Sequence, residues 1–185
     1  MSSVRKRKKP TASVSVILIC IVAAFVAGCV IGMIKFDKFI NSVPLDGNVP
    51  LVETAADELG TEYGEKYWSW YGFDSHVDWC ACFVSWCVNE NADEYENEME
   101  PFCYVPSGVA WFESNDQWRK AGETPDAGDI IFFDWDCSGV ADHVGIVSGC
   151  SGDYVFTIEG NSRDQCRRKG YPLDSKSILG YGVLK

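Results

Sequence analysis

From Val14 to Ile34 the chain runs without a charge (VSVILICIVAAFVAGCVIGMI), 21 residues in all. Wound as a helix, such a run spans about 30 Å, the thickness of a bilayer core, and so predicts a transmembrane segment. Lys35 to Pro50, with two prolines and a glycine, reads as a juxtamembrane linker. In Leu51 to Leu59 the apolar positions Val52, Ala55, Ala56 and Leu59 share one helical face, and Gly60 ends the pattern. Thr61 to Phe73 (TEYGEKYWSWYGF) is aromatic but broken by glycine, which predicts a loop and groove wall. Helical spacing returns at Trp79 to Asn89; six acids in Glu90 to Glu100 mark a solvated loop, and a third helix is expected over Val109 to Lys120.

Beyond Pro125 the pattern changes to short apolar runs. Asp129 to Trp135, His143 to Ser148 and Tyr154 to Glu159 predict strands, the last two joined by Gly149 to Asp153, and Ile178 to Leu184 suits a final one. Helices first and antiparallel strands after make residues 51–185 an α+β domain.

Charge changes the picture at the N-terminus. Arg5, Lys6, Arg7, Lys8 and Lys9 precede the apolar run, and no acid occurs before Asp37. The positive-inside rule therefore makes 1–13 a cytoplasmic basic tail, 14–34 a single membrane pass and the domain extracellular. Two other readings are a cleaved signal peptide, for which the run is long and lacks a small-residue cleavage site, and a lipoprotein lipidated at Cys29, after which the chain stays apolar. From Lys35 onward 11 basic residues face 27 acidic ones. That surface repels phosphate and excludes nucleic acid as a partner.

Seven cysteines lie beyond the membrane run: Cys80, Cys82, Cys87, Cys103, Cys137, Cys150 and Cys166. An odd count in an oxidising compartment predicts disulfides plus one free thiol. With Cys80 set aside, the pairing of the other six stays open; Cys137 and Cys150, flanking the His143 strand, are a pair expected to clasp it. Three of the seven stand in DWCACFVSWC (Asp78 to Cys87). The C-x-C-x4-C spacing and a total of two histidines argue against zinc. With Asp78 as N-cap, Cys80 falls in the first turn of a helix, near free N–H groups and the positive dipole end, a setting that favours a nucleophilic thiolate. Cys82 points away from the Cys80, Phe83, Val84 and Cys87 face, so Cys82 and Cys87 read as packing or disulfide residues.

His143 is the candidate base. With the loop at Gly149 to Asp153, Ser148 pairs with Tyr154 and His143 falls directly opposite Glu159, where a carboxylate fixes the imidazole as a triad acid does. A register shifted by two puts Asn161 there instead. His76 reads as structural or substrate-facing. Asp134, Asp136, Ser138 and Asp142 reproduce the oxygen spacing of an EF-hand loop without its final bidentate Glu, so calcium is an optional ligand beside a chemistry that requires no cofactor.

The blocks DWCACFVSWC, PDAGDIIFFDW, ADHVGIV and IEGNS, in this order, resemble the CHAP domain, a cysteine, histidine-dependent amidohydrolase/peptidase of papain-like fold. The resemblance runs from Tyr67 to Gly182 and is strongest to membrane-anchored bacterial members. It implies Cys80 as nucleophile, His143 as base, and Glu159 with Asn161 as acid and following asparagine. It also implies hydrolysis of amide bonds in peptidoglycan, as an N-acetylmuramoyl-L-alanine amidase or a peptide endopeptidase. Trp79, Trp70 and Tyr71 are the candidate groove wall for substrate. The expected partners are bacterial peptidoglycan and, through 14–34, the lipid bilayer. Two other classes are a non-catalytic wall-binding or adhesion domain and a thiol-disulfide oxidoreductase on Cys80 and Cys82, whose spacing is not that of a redox C-x-x-C.

Overall fold

The computed structural model describes residues 14–45, 49–95 and 99–185, with side chains from Val22 onward. The basic tail 1–13, the linker residues 46–48 and the acidic residues 96–98 lie outside the described residues, as do the side chains of 14–21. The chain divides into two units, Met1–Phe39 and Ile40–Lys185.

The apolar run is helical: α1 covers Val14–Ser42, continuing through the first half of what reads as linker. Among the described residues no helix is long and apolar enough to cross a membrane. In the second unit, α2 (Pro50–Asp57) starts with Pro50 at its first position, where the missing N–H costs nothing, and buries Leu51, Val52 and Ala55. The aromatic stretch expected as loop forms α3 (Glu65–Tyr71). Its punctuating glycines are the caps, Gly64 at φ 56° and Gly72 at φ 115°, left-handed geometries that suit glycine. α4 (Cys80–Glu90) buries every residue from Cys80 to Val88. Cys82 and Trp86 are therefore not on a free face, because α2 and α3 cover the side of α4 that the sheet leaves open.

The third helix, α5 (Val105–Ser114), begins four residues before the expected start. It ends ahead of Asp116, whose φ of 54° turns the chain into β1 (Trp118–Lys120). The remaining strands are β2 (Ile130–Phe133), β3 (His143–Ser151), β4 (Tyr154–Glu159), β5 (Arg167–Pro172) and β6 (Ile178–Gly182). They form one antiparallel sheet in the order β1-β6-β2-β3-β4-β5. β5 (RRKGYP) has no apolar alternation to announce it; as an edge strand it carries charges and a proline that suit an exposed border. Ile130, Phe132, Val144, Ile146 and Ile158 face the helices, while Ile131, Phe133, Val147 and Val155 form a smaller apolar layer on the other side.

The β3–β4 register differs from expectation, and the site depends on it. β3 continues to Ser151 and turns at Gly152 and Asp153, so Ser151, not Ser148, pairs with Tyr154. A bulge at Ser148 then shifts the ladder by one, giving Val147 opposite Thr157 and Ile146 opposite Ile158. Continued one step, the ladder sets Gly145, not His143, against Glu159.

Candidate active site

Cys80 occupies the first position of α4, so its N–H has no acceptor within the helix. The N-cap is Trp79 (φ −115°, ψ 11°) with no side-chain cap, which corrects the expectation for Asp78. The Asp78 carboxylate is engaged elsewhere, accepting a hydrogen bond from Asn161 Nδ2 at 2.9 Å. Asn161 leaves the ladder at φ 56° just past the end of β4, and its side-chain amide ties this turn to the loop before Cys80 at the edge of the cleft that His143 lines. A second tie runs in parallel: Asp164 Oδ1 lies 2.9 Å from both Trp79 Nε1 and His76 Nε2. These two hydrogen bonds hold the Asp164 carboxyl below its ordinary pKa. His76 is thus a loop tie.

Glu159 reaches His143 along the strand. His143, Gly145, Thr157 and Glu159 stand on one sheet face, and Glu159 Oε2 lies 3.0 Å from His143 Nε2. Gly145 makes this diagonal possible, since a Cβ there would fall 2.7 Å from Glu159 Cγ and 3.2 Å from the Ile158 carbonyl oxygen. Glu159 is almost fully buried, at 1% exposure. Cys80 lines the same cleft and is the other group close enough to act on the His143 ring. With Nε2 turned to Glu159, Nδ1 is the nitrogen left for the sulfur. Burial opposes charge on the ring, but the nearby Cys80 and Glu159 side chains and their negative charges outweigh it, and the His143 pKa is pushed up to about 10. The ring therefore carries its proton at neutral pH.

Cys80 and His143 open into a cleft of about 530 Å³ whose walls include Asp78, Tyr104, Val140 and Asn161. The candidate groove aromatics are not among its lining. Trp79 is fully buried and stacks on Tyr67 at 5.2 Å, Tyr71 donates to the Pro101 carbonyl at 3.3 Å, and Trp70 is half-exposed away from the cleft. Tyr104 and Val140, exposed residues of loops and a helix start, line it instead; no spacing in the sequence marks them.

The other thiols are set apart by burial. Burial, with Cys103 and Cys80 nearby, pushes Cys82 up to about 12; Cys87 lies well above its ordinary value, and Cys166 is pushed to about 12. All the described cysteines are free thiols, which corrects the expectation of disulfides. Hydrogen bonds from Ser138 N to Asp134 and from Asp142 N to the Phe133 carbonyl hold Cys137 at the His143 end of β3, while Cys150 stands seven residues, about 23 Å, along that strand, too far for a Cys137–Cys150 clasp.

Carboxylate oxygens of Asp134, Asp136 and Asp142 lie within 4.8 Å of one another. Backbone N–H groups already occupy several of them: Ser138 and Gly139 donate to Asp134, Ser138 to Asp136, and Trp135 to Asp142. The Ser138 hydroxyl accepts from Val140 N at 3.3 Å and is turned to its own loop.

The CHAP domain family model matches residues 70–161, just under half of the chain, a span that holds Cys80, His143, Glu159 and Asn161. No curated protein matches the chain in sequence. Among solved structures, Ly7917 with the hydrolysing product of MDP is 15% identical with a TM-score of 0.50, covering 73% of this chain and 62% of that one. Another structure of Ly7917 gives 15% identity, a TM-score of 0.47 and coverage of 73% and 61%. A lipoprotein-like protein of the NLP/P60 family from Staphylococcus aureus gives 16%, 0.41, and 73% and 40%. The chain thus spans less than two thirds of each of these relatives, and at such identity the likeness is one of fold. Over residues 70–161 the chain is similar to the CHAP domain, and its α+β fold is similar to that of Ly7917.

Proposed function

We propose that this protein is a peptidoglycan hydrolase that cleaves amide bonds through Cys80, His143 and Glu159. The observation that carries the reading is the placement of His143 between a buried carboxylate and a cysteine at a helix start, at the mouth of one cleft. The CHAP match and the Ly7917 likeness support the substrate class.

In this reading the proton on His143 is the one given up by the Cys80 thiol, and the sulfur attacks an amide carbonyl carbon, forming a C–S bond while the carbonyl oxygen takes up negative charge. The Cys80 N–H, free at the start of α4, is the donor to that oxygen. His143 gives its proton to the amine as the C–N bond breaks, leaving a thioester. Water then attacks the thioester with His143 as base, and the acid product leaves as the C–S bond breaks, freeing the Cys80 sulfur with His143 protonated again. Glu159 stabilises the imidazolium and fixes which ring nitrogen faces sulfur. A non-catalytic binding role leaves this alignment without a purpose, and a redox role is disfavoured by a Cys82 thiol held at about 12.

The bond cut lies either between sugar and stem peptide or within the peptide. Tethering of the domain outside the cell by the 14–34 segment belongs to the proposal on the sequence alone, from its apolar length and the basic cluster before it, since the side chains of 14–21 lie outside the described residues. Calcium at Asp134, Asp136 and Asp142 is an accessory part of the reading, supported by carboxylate convergence alone. The deciding experiment is digestion of defined peptidoglycan by the full chain in detergent, with mass spectrometry of the products beside a Cys80→Ser control. A freed lactyl-peptide bond identifies an amidase and a cut within the stem an endopeptidase; no product from the wild type overturns the proposal.

A further inference from the structure

Three residues of the sheet converge on Glu159 besides His143, and none belongs to the Cys80, His143 and Glu159 set. Thr157 lies two residues before Glu159 on β4, hence on the same face, and is fully buried. Its hydroxyl donates to Glu159 Oε1 at 2.6 Å, leaving Oε2 for His143 at 3.0 Å. Tyr171 of β5 packs against Phe133 at 4.8 Å and Trp135 at 5.7 Å, and burial together with the nearby Glu159 carboxylate raises its pKa. Gly145 leaves the lane in which the Glu159 side chain lies.

We propose that Thr157 is a positioning residue, whose hydroxyl locks the Glu159 carboxylate in the orientation that aims His143 at Cys80. The inference rests on the Cys80–His143–Glu159 reading given above. A glutamate has three side-chain torsions, and ordering such a chain costs rotamer entropy. Thr157 settles that ordering in the folded protein, before substrate arrives. A carboxylate with one oxygen fixed presents the other along a single direction, and the imidazole follows it. Without the lock, Glu159 swings between rotamers and the ring loses its alignment towards Cys80. Thr157 stands between Val147 of β3 and Lys169 of β5, with Val155 two residues before it on the same face, so valine keeps the branched shape at this buried position and removes the donor.

The test reads Cys80 reactivity, which needs no peptidoglycan and therefore stands apart from the choice of substrate. Full-length wild type, Thr157→Val and Thr157→Ser are treated with iodoacetamide at pH 7, and the alkylation rate at Cys80 is followed by fragment mass spectrometry with Cys80→Ser as blank. Thr157→Val is expected to slow alkylation about tenfold, and Thr157→Ser, which keeps the donor, to stay within twofold of wild type. On peptidoglycan the same ordering is expected in kcat with KM unchanged. A Thr157→Val rate within twofold of wild type overturns the proposal, as does a Thr157→Ser rate as slow as that of Thr157→Val. Failure of the wild type to digest peptidoglycan overturns the substrate reading and leaves the alkylation comparison intact.

Discussion

Replacing Gly145 with valine tests whether the empty lane opposite Glu159 is what lets the carboxylate reach His143. A Cβ at this position meets Glu159 Cγ at 2.7 Å and the Ile158 carbonyl oxygen at 3.2 Å. The carbonyl belongs to the β4 backbone, so the side chain of Glu159 is the part that gives. Its displacement breaks the 3.0 Å contact to His143 and the 2.6 Å contact from Thr157. A hydrogen bond to a charged group is worth about 1.5–3 kcal/mol, which corresponds to a loss of about 10- to 150-fold in kcat. Gly145→Ala, with no branch, is expected to fall between wild type and valine. The decisive comparison is a double-mutant cycle in a dye-release assay on labelled peptidoglycan. If valine acts only by moving the carboxylate, then in a Glu159→Ala background it costs little further activity. Wild-type kcat in Gly145→Val, or losses that simply add in the double mutant, refutes the reasoning.

Cys80→Ser is expected to abolish cleavage and Cys82→Ser to leave it within about threefold, because Cys82 is buried behind the site with its thiol held at about 12; the reverse result in the same assay moves the nucleophile. His143 is raised from 6.5 to about 10, so its contribution to stability is whole below about pH 6.5 and is lost as pH rises through 10. Imidazole NMR is expected to show the ring protonated at pH 8, and Glu159→Gln, which keeps the shape and removes the charge, to lower the midpoint by about one unit or more; an unchanged midpoint denies Glu159 its role. If the Asp134, Asp136 and Asp142 loop binds calcium, an ion at ten times its Kd stabilises by about 1.4 kcal/mol, and chelator lowers Tm by about 4 °C. Equal Tm and kcat with and without chelator remove the metal from the proposal.

Much of the fold is legible because burial writes itself into periodicity. β2 is a run of four apolar residues with both faces covered, and β4 is found at its observed bounds. α4 was readable as a helix, but its packing was not: a two-faced helix shows no polar side, and the three cysteines look divisible by face only while one face is assumed to be free. α3 and β5 are hidden for opposite reasons. In α3 the glycines that cap look like glycines that interrupt, whereas β5 forms by pairing with β4 despite a sequence of charged residues.

The register of β3 on β4 shows why the right residues can be paired by the wrong geometry. Gly149 to Asp153 holds two glycines and resembles a five-residue loop, yet the strand continues and only Gly152 and Asp153 turn. That difference alone moves the ladder by three, and the bulge at Ser148 takes one back, for a net shift of two. An even shift keeps every side chain on its face, so Glu159 remains on the side of His143, two residues along. An odd shift, as a turn of this kind gives without the bulge, sends the carboxylate to the helix-covered side. The bulge is thus what restores the facing of the pair, and Gly145 is what allows the diagonal to close. Neither is visible as chemistry in the sequence, since one is an extra residue in a strand and the other a missing side chain, yet both decide whether His143 has an acid at all.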